Sequence, residues 1–387
     1  MEEDLVERGT RRGAAGAEGA PEVSVLIPIY NVERYLEQCL ESLRAQTFGD
    51  FEAICLNDGS TDGSRAIVQR FLDADPRFRV VDKENSGYGA SMNRGLDEAR
   101  GRYVAILESD DLYEPDALAV LHEAAEKNAA QVAKANFNLY WSRPEERREL
   151  FCVVDDAEEG RVLRPLDDLA VFFRKPSIWS GLYRRDFLAE NGIRFLETPG
   201  ASYQDSGFNF KVWAAADRAA FVGAPVLNYR QDNEGSSVNN PGKVFCVCDE
   251  YASMEEFVRG RGGADEKRLL AVLQRMKLDS YLWNYDRLAP GLRPAFVERA
   301  AGEFRGALER GEVDRALFEP AAEADLRAMV ADPAAFCAER DAAASAGAAG
   351  ALKRYLRMGG PALAARVLWF KLFGRSKRRI DARGAAL

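Results

Sequence analysis

Four short apolar runs, three of them closed by a polar cluster, constrain this chain more than any other feature. They are VSVLIP within Glu22 to Ile29, Phe51 to Leu56, Phe78 to Asp82 and Tyr103 to Leu107. They have strand length and are rich in β-branched residues, as strands buried on both faces are. Between them lie segments of helical period. One runs from about Val32 to Gln46, with Asn31 as its cap and Tyr35, Leu36, Cys39, Leu40 and Leu43 on one face. A second ends near Leu72. A third starts at Gly87-Tyr88-Gly89, ends near Arg100 and is closed by Gly101. Strand and helix in alternation predict an α/β fold, a doubly wound sheet with right-handed crossovers.

In such sheets ligands bind beyond the carboxyl ends of the strands. Three of those ends carry polar clusters here: PIYN (28–31), NDGSTD (57–62) and ESDD (108–111). In the last, Glu108, Asp110 and Asp111 would repel one another if nothing neutralised them. Two physical answers exist, a hard divalent cation such as Mg²⁺ or Mn²⁺, or cationic side chains. The alternative is an acidic turn that caps a helix opened by Pro115. Neither common nucleotide fingerprint is present. PIYNVE follows the first strand in place of GxGxxG, and no GxxxxGK[ST] occurs. Any nucleotide would therefore be held by side chains and a metal.

Composition narrows the classes. A formal net charge of −9 argues against a general nucleic-acid binder. One histidine (His122) and six scattered cysteines without a CxxC pair argue against zinc and fit a reducing compartment. Cys246 and Cys248 are two apart, the spacing of one face of a strand. No apolar run reaches the ~18 residues of a membrane span. Residues 1–20, charged and rich in Gly and Ala, read as a disordered tail without the apolar core of a signal peptide.

Taken together, VSVLIPIYN, NDGSTDGS, the Asn93-Arg94-Gly95 segment and GRYVAILESDD resemble the family 2 glycosyltransferases. The match is close over 22–120 and looser to about 240. The resemblance implies a GT-A fold with a mixed central sheet over 21–240. Residues 21–120 would form the nucleotide-sugar half and 121–240 the acceptor half. It implies an inverting, metal-dependent transfer from a nucleoside diphosphate-sugar, with a uridine preference, to an acceptor hydroxyl of a glycan or lipid-linked glycan. It places such an enzyme on the cytoplasmic side, in surface polysaccharide or glycolipid assembly. By position, Pro28 and Tyr30 would line the base and ribose pocket, Asp58 would accept from a ring N–H of the base, and Asn93 would join the donor site. Asp110 would hold Mg²⁺ or Mn²⁺, with Glu108 near the ribose or donor sugar and Asp111 in support. The first acid of the signature is Glu rather than the commoner Asp. In SYQDSGFNFKVW (202–213) the second acid of the family's acidic pair is kept and the first is Gln204, which makes Asp205 the base; the competing reading is a helix cap. Trp179 would stack on a sugar or belong to the core, and Arg230 would contact the diphosphate, beside a polar loop QDNEGSSVNN (231–240).

From Val244 the pattern turns helical, over roughly 244–260, 265–289, 293–311 and 321–340. Asp265 caps the second of these and Pro290 ends it. Residues 341–350 read as an Ala/Gly/Ser-rich linker. The region 346–387 carries ten basic residues (Lys353, Arg354, Arg357, Arg366, Lys371, Arg375, Lys377, Arg378, Arg379 and Arg383) against Asp381 alone, around Leu363, Val367, Leu368, Trp369, Phe370, Leu372 and Phe373. That pattern fits peripheral contact with an anionic membrane through 351–383; a docked terminal helix with a solvated basic face is the alternative. The non-enzymatic rival for the whole chain is an inactive sugar-nucleotide-binding scaffold at a membrane complex. A second enzymatic rival, nucleotidyl or phosphoryl transfer, calls for a Lys or Arg flanking Asp110 closely, and the sequence has none there.

Overall fold

The computed structural model describes residues 19–200, 202–233 and 243–373. The amino-terminal part alternates β1 (Val23–Ile29), α1 (Glu33–Arg44), β2 (Phe51–Asp58), α2 (Ser64–Ala74), β3 (Phe78–Lys83), α3 (Tyr88–Glu98) and β4 (Tyr103–Ile106). There follow β5 (Leu112–Tyr113), α4 (Ala117–Lys127), β6 (Val132–Trp141), β7 (Arg147–Phe151) and β8 (Val162–Leu163). Then come β9 (Gly181–Arg184), α5 (Arg185–Glu190), α6 (Gln204–Ala215) and β10 (Ala219–Arg230). Among the described residues one sheet runs in the order β3-β2-β1-β4-β9-β6-β10-β5, with β7 on β6 and β8 on β10. The first four strands are parallel, as the alternation predicts. β9 then inserts antiparallel to both β4 and β6, which makes the sheet mixed. β1, β2 and β4 are buried along their whole length, as strands covered by helices on both faces must be.

The loops at the carboxyl ends of β1 and β2 are tied to each other. Asp62 Oδ2 accepts the Glu33 amide at the start of α1 (3.0 Å), and Glu33 Oε2 accepts the Gly63 amide at the start of α2 (2.5 Å). Each helix thus has an orphan N–H satisfied by the other's loop. Asn31 is not the cap of α1. It sits at φ 50°, and its Oδ1 accepts from Thr61 N (2.8 Å), so it joins the two loops instead. Gly101 does not close α3 either. That helix ends at Glu98, and Gly101 lies against Ser24, where a Cβ would stand 2.5 Å from a backbone nitrogen.

The rest is helical: α7 (Cys246–Arg261), α8 (Glu266–Arg287), α9 (Arg293–Glu309), α10 (Pro320–Ala331), α11 (Pro333–Ser345) and α12 (Gly347–Phe373). α7 to α11 share one continuous apolar core with the sheet, through residues such as Val247, Tyr251, Leu273, Tyr281 and Phe296, whereas Leu363 and Val367 of α12 form a separate small cluster with Ala324 of α10. Five expectations need correction here. Cys246 and Cys248 lie in α7, buried in its packing, and not on a strand. The helix expected over 321–340 is two, because Pro333 cannot continue α10 and Asp332 caps α11 through Ala335 N at 2.9 Å. Residues 341–350 form no linker; α11 and α12 run through them with a break at Ala346 and Gly347. Asp265 is the N-cap residue of α8 as expected, but its side chain makes no capping hydrogen bond and pairs with Arg164 instead (2.5 Å). α8 is already over at Arg287, before Pro290. Of the loop QDNEGSSVNN, all but Gln231, Asp232 and Asn233 lies outside the described residues.

Candidate functional site

The chain leaves β4 into Leu107 and turns sharply, with the Asp111 amide donating to the Glu108 carbonyl at 3.0 Å. Glu108 and Asp110 face the space beyond the sheet, and Asp111 points back into the protein, 0% exposed. The start of α6 brings Asp205 to the same space. Asp205 is not the helix cap; that position is Tyr203, at φ 62°. Asp205 sits in the first turn, where its carboxylate accepts from the Ser206 amide at 2.8 Å and benefits from the helix dipole.

These acids feel one another. Burial pushes the Glu108 carboxyl up to about 8, against the Tyr88 hydroxyl that donates to it (2.6 Å), with the charges of Asp110 and Asp205 adding to the rise. Burial likewise raises Asp205, with Lys175 pulling the other way. Asp111 is raised by burial and by Asp110, and its Oδ2 has no hydrogen-bond partner. The Tyr229 phenol is raised by burial and by the same four carboxylates, which puts it on the same cavity.

Burial of Glu108, Asp111 and Asp205 outweighs the groups that would keep them ionised, and their donors are hard oxygens. Both facts fit Mg²⁺ or Mn²⁺. Among the described residues no three His, Cys, Asp or Glu side chains form a cage. A cation would thus rest on Asp110 and take its remaining ligands from substrate phosphates and water, the usual arrangement for Mg²⁺.

Several residues named from sequence are placed differently from their expected roles. Asp58 is buried, and both its oxygens are engaged. Oδ1 accepts from Ser86 N (2.9 Å) and Lys83, and Oδ2 from Gly87 N (3.0 Å), so it shapes the loop before α3. Asn93 is buried too. It bonds the Phe195 carbonyl and Glu197 Oε1 through Nδ2, and the Phe195 amide through Oδ1, pinning the segment that leads to α6. Arg230 is a buried strut. Its Nε donates to the Asp110 carbonyl (2.7 Å), a terminal nitrogen donates to Gln38 (2.9 Å), and its backbone amide donates to Asp111 Oδ1 (2.8 Å). Its guanidinium lies between the rings of Tyr35 and Tyr140. Trp179 belongs to the core, stacked on Tyr229 (4.7 Å) with Phe137 edge-on (4.4 Å), so no ring face is left for a sugar. Pro28 is buried in β1, whereas Tyr30, just beyond the strand, is 53% exposed at the mouth.

Sequence reasoning missed Lys175. Its ammonium stands over the rings of Tyr229 (5.1 Å) and Phe151 (5.9 Å), facing the charges of Asp205 and Asp111. Among the described residues it forms no ion pair and its ammonium makes no hydrogen bond. Burial lowers its pKa and the two carboxylates raise it. Nothing in the local sequence RKPS marks it, because both rings and both acids are distant in the chain. Glu250 of α7 was missed as well. It lies fully buried against Gly207 of α6, where a Cβ would meet its carboxyl at 1.7 Å, and burial pushes its pKa up to about 8, with the Asp205 charge adding to the rise.

Residues 24–176 match the family model described as glycosyl transferase family 2. The matched segment includes Asp58 and the 108–111 turn and stops short of Asp205 and Arg230. Two proteins of Bacillus subtilis (strain 168), named "Putative glycosyltransferase EpsH" and "Uncharacterized glycosyltransferase EpsJ", are similar to this chain. EpsH is 31% identical over 212 residues, covering 54% of this chain and 61% of EpsH. EpsJ is 30% identical over 283 residues, covering 68% of this chain and 78% of EpsJ. The chain thus spans less than two thirds of EpsH and more than three quarters of EpsJ. The crystal structure of S. aureus TarS 1–349 shares the fold, with a TM-score of 0.63 at 19% identity over 80% of this chain and 87% of TarS 1–349. The mixed sheet with an acidic turn after β4 is accordingly a GT-A fold. On the extent of the match to EpsJ and the family model over its strand-end loops, this chain belongs to the family 2 glycosyltransferases.

Proposed function

We propose that this protein transfers a hexose from a UDP-sugar to an acceptor hydroxyl with inversion, in surface polysaccharide or glycolipid assembly. The observation that supports the reading is the approach of Glu108, Asp110 and Asp205 to one another at the carboxyl end of β4, with the Tyr88 hydroxyl on Glu108. A structure of TarS in complex with UDP-GlcNAc makes UDP-sugars the first donors to try.

Exposed Tyr30 offers an aromatic face for the base, above the loop that Asp58 braces. Asp110 would hold the divalent cation, which when bound takes up charge on the departing diphosphate. Asp205 accepts the proton of the acceptor hydroxyl. The acceptor oxygen then forms its bond to the anomeric carbon on the face opposite the breaking bond to phosphate oxygen. A single base suffices for one displacement. Glu108, sharing the Tyr88 hydroxyl, lies where it can bond the ribose or donor sugar.

Lys175 keeps Asp205 ionised in this reading. Asp205 must be a carboxylate to act, and burial works against that. Removing the Lys175 ammonium raises the Asp205 carboxyl further, so protonation begins at higher pH. Lys175→Met is therefore expected to move the acid limb of the pH profile of kcat to higher pH, and Lys175→Arg to restore it. An unmoved limb in Lys175→Met rules out this role.

The reading is tested by incubating a panel of nucleotide sugars with the protein, with and without Mn²⁺. Slow metal-dependent release of one nucleoside diphosphate is expected, with the metal stimulation lost in Asp110→Ala. Failure to bind or cleave any nucleotide sugar would return the acidic turn to a purely structural role and favour the scaffold. An acceptor built on a lipid-linked glycan would bring the enzyme to the inner face of the plasma membrane.

A further inference from the structure

We propose that the outer face of α12 docks the protein on an anionic lipid bilayer. Apart from Tyr30 and Leu150, every exposed large apolar side chain among the described residues lies on this helix. In its second half Leu363, Ala364 and Val367 are buried and pack toward α10. Leu368, Trp369, Leu372 and Phe373 are 57%, 62%, 64% and 61% exposed. At about 3.6 residues per turn these four form a stripe on the side opposite the buried one. A terminal helix merely docked on the domain needs one apolar stripe, and this helix has two. Arg366 and Lys371 border the outer stripe, one on each side, by the same helical arithmetic.

The first half repeats the arrangement, with exposed Leu352 and Leu356 beside exposed Lys353 and Arg357. Buried Arg354 holds that half to the body through Asp325 (2.5 Å). The two halves meet at Gly359 and Gly360, which are not helical. A pocket of about 440 Å³, lined by Pro320, Ala365, Arg366, Trp369 and Phe370, opens beside the stripe.

Charge decides the occupant. The chain as a whole carries −9, whereas residues 347–373 hold five basic side chains and no acid, with exposed Lys353, Arg357, Arg366 and Lys371 beside the apolar stripes. A second copy would bring the same positive charge to the contact and repel it. An anionic bilayer accepts both parts, the apolar stripe in its interface and the cations among its headgroups. No helix among the described residues is long and apolar enough to cross a membrane, so the contact is a surface one.

The test is flotation of the full chain with phosphatidylcholine vesicles, alone or containing phosphatidylglycerol. It needs no transfer activity, so its failure leaves the proposed reaction untouched. Binding is expected only with phosphatidylglycerol. Arg366→Gln and Lys371→Gln should each lower the partition coefficient about fivefold. Trp369→Glu with Leu372→Glu should abolish binding; both side chains are exposed, so folding is unaffected, and the melting curve checks that. Equal binding to phosphatidylcholine alone, or undiminished binding by the Glu pair, overturns the proposal. So does a wild-type dimer on gel filtration that the Glu pair makes monomeric while neither protein floats, an outcome that gives the face to a second copy.

Discussion

Asp205→Asn is expected to lower kcat for transfer by about 10² to 10⁴, the range for losing a general base, with little change in the KM for the donor. Asn has the shape of Asp, and its carbonyl can still accept from the Ser206 amide at the first turn of α6. The helix and the neighbouring Tyr203 and Gln204 therefore keep their places. What disappears is the ability to take a proton. The donor's diphosphate and base lie on the Asp110 and Tyr30 side in the proposed reading, so donor affinity has no reason to fall. Steady-state kinetics at saturating acceptor, with donor binding measured separately by calorimetry, give both quantities. An Asn variant with wild-type kcat would place the base elsewhere. Equal losses in kcat and donor affinity would mean that Asp205 organises the donor pocket and not the acceptor proton.

The parallel half of the sheet was legible because its signal is local. VSVLIP and YVAIL are continuous apolar runs, and strands covered on both faces demand that pattern. The mixed half was harder to read. β9 is four residues long and β5 and β8 two each, too short for any periodicity, and they exist because longer neighbours pair with them. Cys246 and Cys248 misled for a related reason. They lie in the stretch read as helical from Val244, which α7 bears out; their spacing of two alone pointed to a strand face, and both are buried where α7 packs against α6 and α8. The Ala-rich 341–350 stretch was read by its flexible glycines, although alanine is the strongest helix former.

In the candidate site the sequence pointed to residues whose bonds within the protein it did not record. Glu108, Asp110 and Asp205 do meet, because strand ends and helix starts gather on one edge of such a sheet. Asp58, Asn93, Trp179 and Arg230 lie around the same region, yet each is bonded or packed against protein. Their partners are distant in the chain, such as Phe195 for Asn93 and Gln38 for Arg230. No local pattern records such pairings, and Lys175 went unnoticed for the same reason.

Arg230→Met is expected to destabilise the fold by about 3–5 kcal/mol, the usual cost of removing one partner from a buried charge cluster. Arg230 is 4% exposed and Asp111 is 0% exposed. Methionine fills much of the space between Tyr35 and Tyr140 but carries no donor. The Asp110 carbonyl and Gln38 then lose their bonds, and the buried Asp111 loses the positive charge that offsets its own. Its Oδ2, already without a partner, makes the site intolerant of further loss. Urea unfolding followed by tryptophan fluorescence measures the effect as a lower midpoint at unchanged slope. A second substitution separates charge from shape. Arg230→Met combined with Asp111→Asn removes the uncompensated anion and should recover part of the stability. It should not recover metal-dependent donor cleavage, because the Asp110 carbonyl still lacks the bond that fixes its turn. Recovery of both together would mean that Arg230 acts on the turn through charge alone.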